Sequence, residues 1–204
     1  AKQFTQRIIQ SKILSHYSTV QYGVEGASKD QADFLRQLGM AGLGALFLIY
    51  GLIAIPTKSY VQPIVIMSVI PFGIIGAIFG HLLMGYGLSI LSLLGIVALS
   101  GIVVNDSLVL INHANLLRHE HPDKTAANII KMASIQRFRP IILTTMTTFF
   151  GLMPMILETS RQAKILIPMA ISIGFGIVFA TLITLILIPS LYLVVDDLHK
   201  KQPS

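Results

Sequence analysis

The sequence predicts an all-α membrane protein, a five-helix transmembrane bundle preceded by a short α/β piece of an external domain. Three observations predict it. The 204-residue chain is 53% hydrophobic and 12% charged, about half the charge of a soluble domain, which carries roughly 25%, and its mean hydropathy is +0.74. Its charges are missing from runs long enough to cross a bilayer, the longest reaching from Ser59 to Asn105. Residues 1–30, by contrast, are polar and of mixed charge.

In that N-terminal stretch Phe4–Leu14 fits a helix, and Val20, Tyr22 and Val24 alternate as a strand beside the breakers Gly23 and Gly26. One helix and one strand cannot build a core, so residues 1–30 read as the end of a larger external domain. The basic stub and apolar core of a cleavable leader are not seen at the start, and a first residue of Ala fits a piece of a longer chain.

The transmembrane domain covers residues 31–197. No charge lies between Arg36 and Lys58, giving a first span of about 34–56 centred on Leu38 to Ile55. The run from Ser59 to Asn105 is too long for one helix, and Gly85-Tyr86-Gly87 divides it into spans of about 61–84 and 88–117. A fourth span follows at 140–157, opened by Pro140, whose missing N–H is no loss in a first helical turn. The fifth, 165–195, is bounded by Lys164 and Asp196, and residues 198–204 form a tail. Between the third and fourth spans, residues 122–137 form an amphipathic helix with Ala126, Ile129, Ile130 and Ala133 on one face. It either lies along the membrane surface or is an ordinary connecting helix. Gly39, Gly42 and Gly44, Gly73, Gly76 and Gly80, and Gly174 and Gly176 are small-residue tracks for close helix approach.

Orientation follows from the Lys and Arg residues near the span ends. Lys58, Arg118, Lys124, Lys131, Arg137, Arg139, Lys200 and Lys201 fall on one side, against Lys29, Arg36, Arg161 and Lys164 on the other. The richer side, with the C-terminus, is therefore cytoplasmic. The net charge of +6 is spread over loops rather than gathered into a basic stripe, which argues against nucleic acid as a partner. The absence of cysteine excludes disulfides and thiolate metal sites, and no metal site is expected.

Asp106 is the one acid inside an apolar run, and a carboxylate at bilayer depth costs at least a few kcal/mol. At 100° per residue Gly95, Ala98, Gly101, Asn105, Asp106, Asn112 and His113 fall on one side of the third span, facing the bundle interior. Asn105 and Asp106 either tie helices together or carry a proton or ion, because a buried carboxyl must be paired or protonated. On the fourth span Thr144 and Thr148 share a face with Arg137. Beside an intramembrane acid they form a candidate hydroxyl relay, although threonines in such helices also bond back to their own backbone. Asn112, His113 and Thr148 are secondary polar candidates; His113 also suits a simple interfacial role.

The runs Leu94-Gly95-Ile96-Val97-Ala98-Leu99-Ser100-Gly101-Ile102-Val103-Val104-Asn105-Asp106-Ser107-Leu108-Val109-Leu110, Arg137-Phe138-Arg139-Pro140-Ile141-Ile142-Leu143-Thr144-Thr145 and Gly151-Leu152-Met153-Pro154 resemble the C-terminal membrane half of resistance-nodulation-division (RND) efflux transporters. The similarity runs from about Gly23 to Asp197. It implies that the five spans are the last five of twelve, and that residues 1–30 end a periplasmic porter domain. It further implies a bacterial inner-membrane antiporter, not an enzyme, driven by the proton gradient and needing no cofactor. The implied partners are the N-terminal half of the transporter, two further copies in a homotrimer, a periplasmic adaptor, an outer-membrane channel and the lipid bilayer. Such transporters export drugs, dyes, detergents or metals. By position, the family's relay arginine and threonine are Arg137 and Thr144, whereas Asn105, followed by Asp106, stands where a lysine is common.

Three other readings compete. A non-transporting membrane scaffold and a protein-export accessory of the same fold share the architecture. An intramembrane protease would draw on Ser100-Gly101 and His81, but Ala98 occupies the glycine position of the serine-type motif, and an aspartyl type needs a second acid.

Overall fold

A computed structural model describes residues 27–160 and 162–200, and the described residues contain helices and no strand. The helix and strand expected within residues 1–26, and with them the α/β remnant, lie outside the described residues. The chain divides into two units, Ala1–Gly42 and Leu43–Ser204. In the first, residues 27–42 are the opening turns of helix α1 (Ala27–Thr57), with Asp30 near the helix N-terminus, where a negative charge opposes the dipole. Phe34, Leu35 and Met40 are exposed there.

The second unit begins inside α1. Leu43, Phe47, Leu48 and Leu52 are exposed, and only the last turns, through Ile53 and Thr57, are buried. Helix α1 ends at Lys58, a non-glycine residue in the left-handed region (φ 48), while the Thr57 hydroxyl donates to the Ile53 carbonyl at 2.8 Å.

The expected span 61–84 is two helices, α2 (Gln62–Met67) and α3 (Ile70–Met84). Pro71 causes the break: it has no N–H to offer the carbonyl four residues back, and its ring crowds that carbonyl. Gly85 (φ 70) ends α3 where the turn was expected. Helix α4 (Ile90–Glu120) then starts from a reciprocal cap, Ser89 accepting from the Ser92 N–H and Ser92 from the Ser89 N–H.

Residues 122–137 and 140–157 are not separate elements. One helix, α5 (Ala126–Ile156), capped by Thr125, runs through both Pro140 and Pro154. Pro140 therefore sits mid-helix and not in a first turn. The helix tolerates it because Gln136, whose carbonyl loses its partner, and Pro140 are both exposed, so no orphan is buried. The predicted apolar face is correct and fully used: Ala126, Ile129, Ile130 and Ala133 are buried in the main core. This part of the helix thus packs on the bundle through its apolar face.

After a short 3₁₀ turn (Ala163–Ile165), helix α6 (Ile167–Lys200) packs against α3, α4 and α5 and is the hub of the unit. Ile171, Ile177, Ala180 and Ile188 are fully buried along it. Glycines make the approach possible. A Cβ at Gly76 or Gly80 would collide with Phe179 or Phe175, one at Gly176 with Leu99, and one at Gly95 with the Met169 carbonyl.

Among the described residues four helical stretches are long and apolar enough to cross a membrane: Lys29–Thr57, Gln62–Met84, Ile90–Glu120 and Ile167–Leu198. The expected fourth span, inside α5, is not among them. Thr144, Thr145, Thr147 and Thr148 dilute its apolar stretch, and Arg137 and Arg139 precede it.

Candidate functional site

Helix α4 carries the acid. Asp106 is 9% exposed, and its Oδ2 is buried without a hydrogen-bond partner. Its neighbour Ser107 is also buried, but its hydroxyl is satisfied by the Val103 carbonyl at 3.0 Å. Asn105, one residue earlier, is turned about 100° around the helix and is exposed, together with Ala98 and Gly101. The single polar side expected for α4 therefore splits. Gly95 and Asp106 face inward, while Ala98, Gly101 and Asn105 form an uncovered stripe on which a Cβ at Gly101 would meet nothing within 4 Å.

Helix α5 repeats the division. Thr144 is exposed and donates to the Pro140 carbonyl at 2.9 Å, and Thr148, half-buried, donates to the Thr144 carbonyl at 2.8 Å. Thr145, which sequence reasoning passed over, is buried and shares a 2.7 Å hydrogen bond with Thr181 of α6. No hydrogen bond among the described residues joins Asp106 to Asn105, Thr144 or Arg137.

Arg137 and His113 do meet, Nη2 lying 3.5 Å from Nδ1, and His113 Nε2 bonds the Gln136 side-chain oxygen. A guanidinium only donates, so Nδ1 must accept and Nε2 must carry the proton: a neutral imidazole satisfies both contacts. Arg137 Nε remains buried and unpartnered. Because α4 and α5 run antiparallel, the meeting of His113 with Arg137 brings Asp106 level with Thr144, seven residues or about 10 Å along each helix. The sequence-predicted residues thus lie on two facing helices as two tiers, an acid with hydroxyls and an arginine with an imidazole. Asn112, half-buried, belongs to a separate cleft near the end of α4.

His81 donates from Nδ1 to the Ala77 carbonyl (2.9 Å) and accepts the Ser92 hydroxyl at Nε2 (2.8 Å). Ser100 donates to the Ile96 carbonyl. Both protease candidates are thereby occupied with separate partners. The signal that could have found Thr145 is its place within the threonine run; nothing in the sequence marks Thr181 as its partner.

The sequence profile described as the AcrB/AcrD/AcrF family matches residues 1–196. The multidrug resistance protein MdtC of Pantoea ananatis is 31% identical over 165 residues, 81% of this chain and 16% of that protein. MdtC of Yersinia pseudotuberculosis is 32% identical over 189 residues, 91% of this chain and 18% of that protein. The swarming motility protein SwrC of Bacillus subtilis is 30% identical over 198 residues, 96% of this chain and 19% of that protein. The chain therefore spans less than a fifth of the length of these relatives. A crystal structure of a heavy metal efflux pump superposes with a TM-score of 0.74 at 23% identity, over 96% of this chain and 19% of the pump, a likeness of fold. The family is one of transporters and not of enzymes, and with its profile matched over nearly the whole length, this chain belongs to the AcrB/AcrD/AcrF family of RND transporters.

Proposed function

We propose that the chain supplies the C-terminal membrane part of a proton-driven RND efflux transporter of the bacterial inner membrane. Asp106 takes up and releases the proton, and Asn105, next to it in sequence but turned to the uncovered stripe, offers its amide to the covering helices. Thr144 and Thr148 provide hydroxyls at the same level, and Arg137, held by His113, lines the path toward the cytoplasmic end. The observation that carries this reading is the buried, unpartnered Oδ2 of Asp106 beside an uncovered face of small and polar residues. A carboxyl in that setting is retained for function or for a partner on another chain segment.

The N-terminal half of the transporter is that partner, its helices covering Ala98, Gly101 and Asn105. Protonation of Asp106 removes the cost of a buried charge and lets α4 repack against the covering helices. The part of α5 from Pro140 to Ile156 is the fifth crossing, compatible with lipid because its threonine hydroxyls are satisfied by its own backbone. The excess of Lys and Arg supports a cytoplasmic C-terminus, and residues 1–30 are on this reading the end of a periplasmic domain. A homotrimer, a periplasmic adaptor and an outer-membrane channel complete the assembly. Its substrates are of the multidrug kind named for the MdtC relatives.

The test is export by the complete transporter carrying Asp106→Asn. Proton-coupled export should be lost at unchanged protein level in the membrane. Full export by this variant would remove Asp106 from the mechanism.

A further inference from the structure

The ends of α1, α2, α4 and α6 converge on a polar cavity of about 360 Å³ whose walls do not include Asp106. Lys58, Gln62, Asn115, Arg118, Tyr192 and Asp196 contribute to its walls. A second cleft continues from it, sharing Lys58, Gln62, Asn115 and Arg118 and adding Asn112 and His119, with no further acid.

The charges are unequal in their commitments. Arg118 bonds the Tyr192 side chain and is paired with the buried Asp196 at 2.6 Å, which neutralises that carboxylate and still leaves part of its five N–H groups over. Lys58 has no ion pair among the described residues and is exposed to the cavity mouth. Its backbone holds the left-handed conformation (φ 48) that glycine takes without penalty, so the helix end would be better served by another residue and the ammonium group is what the position supplies. Gln62 and Asn115 bond each other twice, Asn115 Nδ2 to Gln62 Oε1 at 2.8 Å and Gln62 Nε2 to Asn115 Oδ1 at 3.3 Å. Each amide keeps one N–H to offer. The cavity therefore presents an ammonium, a partly free guanidinium and two amide donors, a set that suits a phosphoryl group.

The surroundings indicate where that phosphoryl group comes from. Tyr60 and Ile64, interleaved with the lining residues of α2, are 81% and 61% exposed, and Ile55, just before Lys58, is 75% exposed. An apolar outer surface that begins at a cationic polar cavity, beside the ends of four helices, matches a phospholipid: acyl chains outside, headgroup within. We propose that this cavity binds the phosphate of an anionic phospholipid headgroup. Assignment to the inner leaflet rests on the orientation proposed above; lipid binding itself does not, and it is measured without reference to export.

The test is native mass spectrometry of the complete purified protein exposed to equimolar phosphatidylglycerol and phosphatidylcholine. Phosphatidylglycerol should be retained over phosphatidylcholine by about fivefold or more, the attraction of one basic residue for an anionic surface. Lys58→Gln should abolish that preference and Lys58→Arg should restore it, both with an unchanged thermal midpoint because Lys58 is exposed. Equal retention of the two lipids, or a preference that survives Lys58→Gln, overturns the proposal. Displacement of phosphatidylglycerol by millimolar inorganic phosphate assigns the cavity to a soluble anion and also overturns it.

Discussion

Gly95 and Gly101 lie on the same helix and have opposite surroundings. A Cβ at Gly95 would press on the Met169 carbonyl and on Ser172, whereas one at Gly101 meets nothing within 4 Å. The same contrast separates Gly76, Gly80 and Gly176, each closed on by a side chain of the unit, from Gly151, which is open. Thr145 and Thr144 repeat it with hydroxyls, one bonded across to Thr181 and the other turned out and bonded to its own backbone. Small and polar residues in a membrane helix thus mark two kinds of seam. One is already filled by α6, and the other is left uncovered by the described residues.

The contrast can be broken most forcefully at Gly80. A Gly80→Leu side chain would overlap Phe175, so thermal unfolding of the purified protein should show a loss of about 1–3 kcal/mol or failure to fold. Native-like stability would mean that the α3–α6 seam is not closed. At the threonines, Thr145→Val should cost about 1–2 kcal/mol by leaving Thr181 without its partner, and Thr144→Val under about 0.5 kcal/mol. A double-mutant cycle of Thr145 with Thr181 checks the coupling, while transport assays should find Thr144→Val the more damaging to export. At the open glycine, Gly101→Ala should leave this chain as stable or up to about 1 kcal/mol more so, from helix propensity alone. Loss of assembly with the N-terminal half at unchanged stability would sharpen the contrast further, and a stability loss would refute it.

The smallest effect concerns Glu158, outside the spans. It accepts the N–H groups of Ser160 and Thr159, both at 3.0 Å, and these hold its carboxyl below the usual carboxylate range. A depressed carboxyl contributes order above its unfolded value and loses it as pH falls through the folded one. Hydrogen exchange should therefore find the two amides protected at neutral pH and released only in acid. Glu158→Gln should reduce that protection at neutral pH.

Much of this was legible in residue order. Charge-free runs gave the helices, Gly85 gave the turn after α3, and the 3.6-residue pattern gave the buried face of residues 126–133, because these signals are local. The α2–α3 break and the continuity of α5 were not legible, since a proline breaks or bends a helix according to whether its orphaned carbonyl can be tolerated. Asn105 and Asp106 are neighbours in sequence, yet one helical step turns them to different environments. Thr145–Thr181 and Arg118–Asp196 join residues far apart in sequence and needed the packed bundle to be seen.

The unbroken course of α5 through Pro140 has a mechanical consequence. Thr144 and the buried face of residues 126–133 sit on opposite sides of a pivot in one rod. A tilt of about 5° at Pro140, where one backbone hydrogen bond is missing, would swing the first turn, about 21 Å away, by about 2 Å. A rearrangement at the level of the acid that bends the helix at this pivot would then be felt at the far end of the rod as a lever stroke.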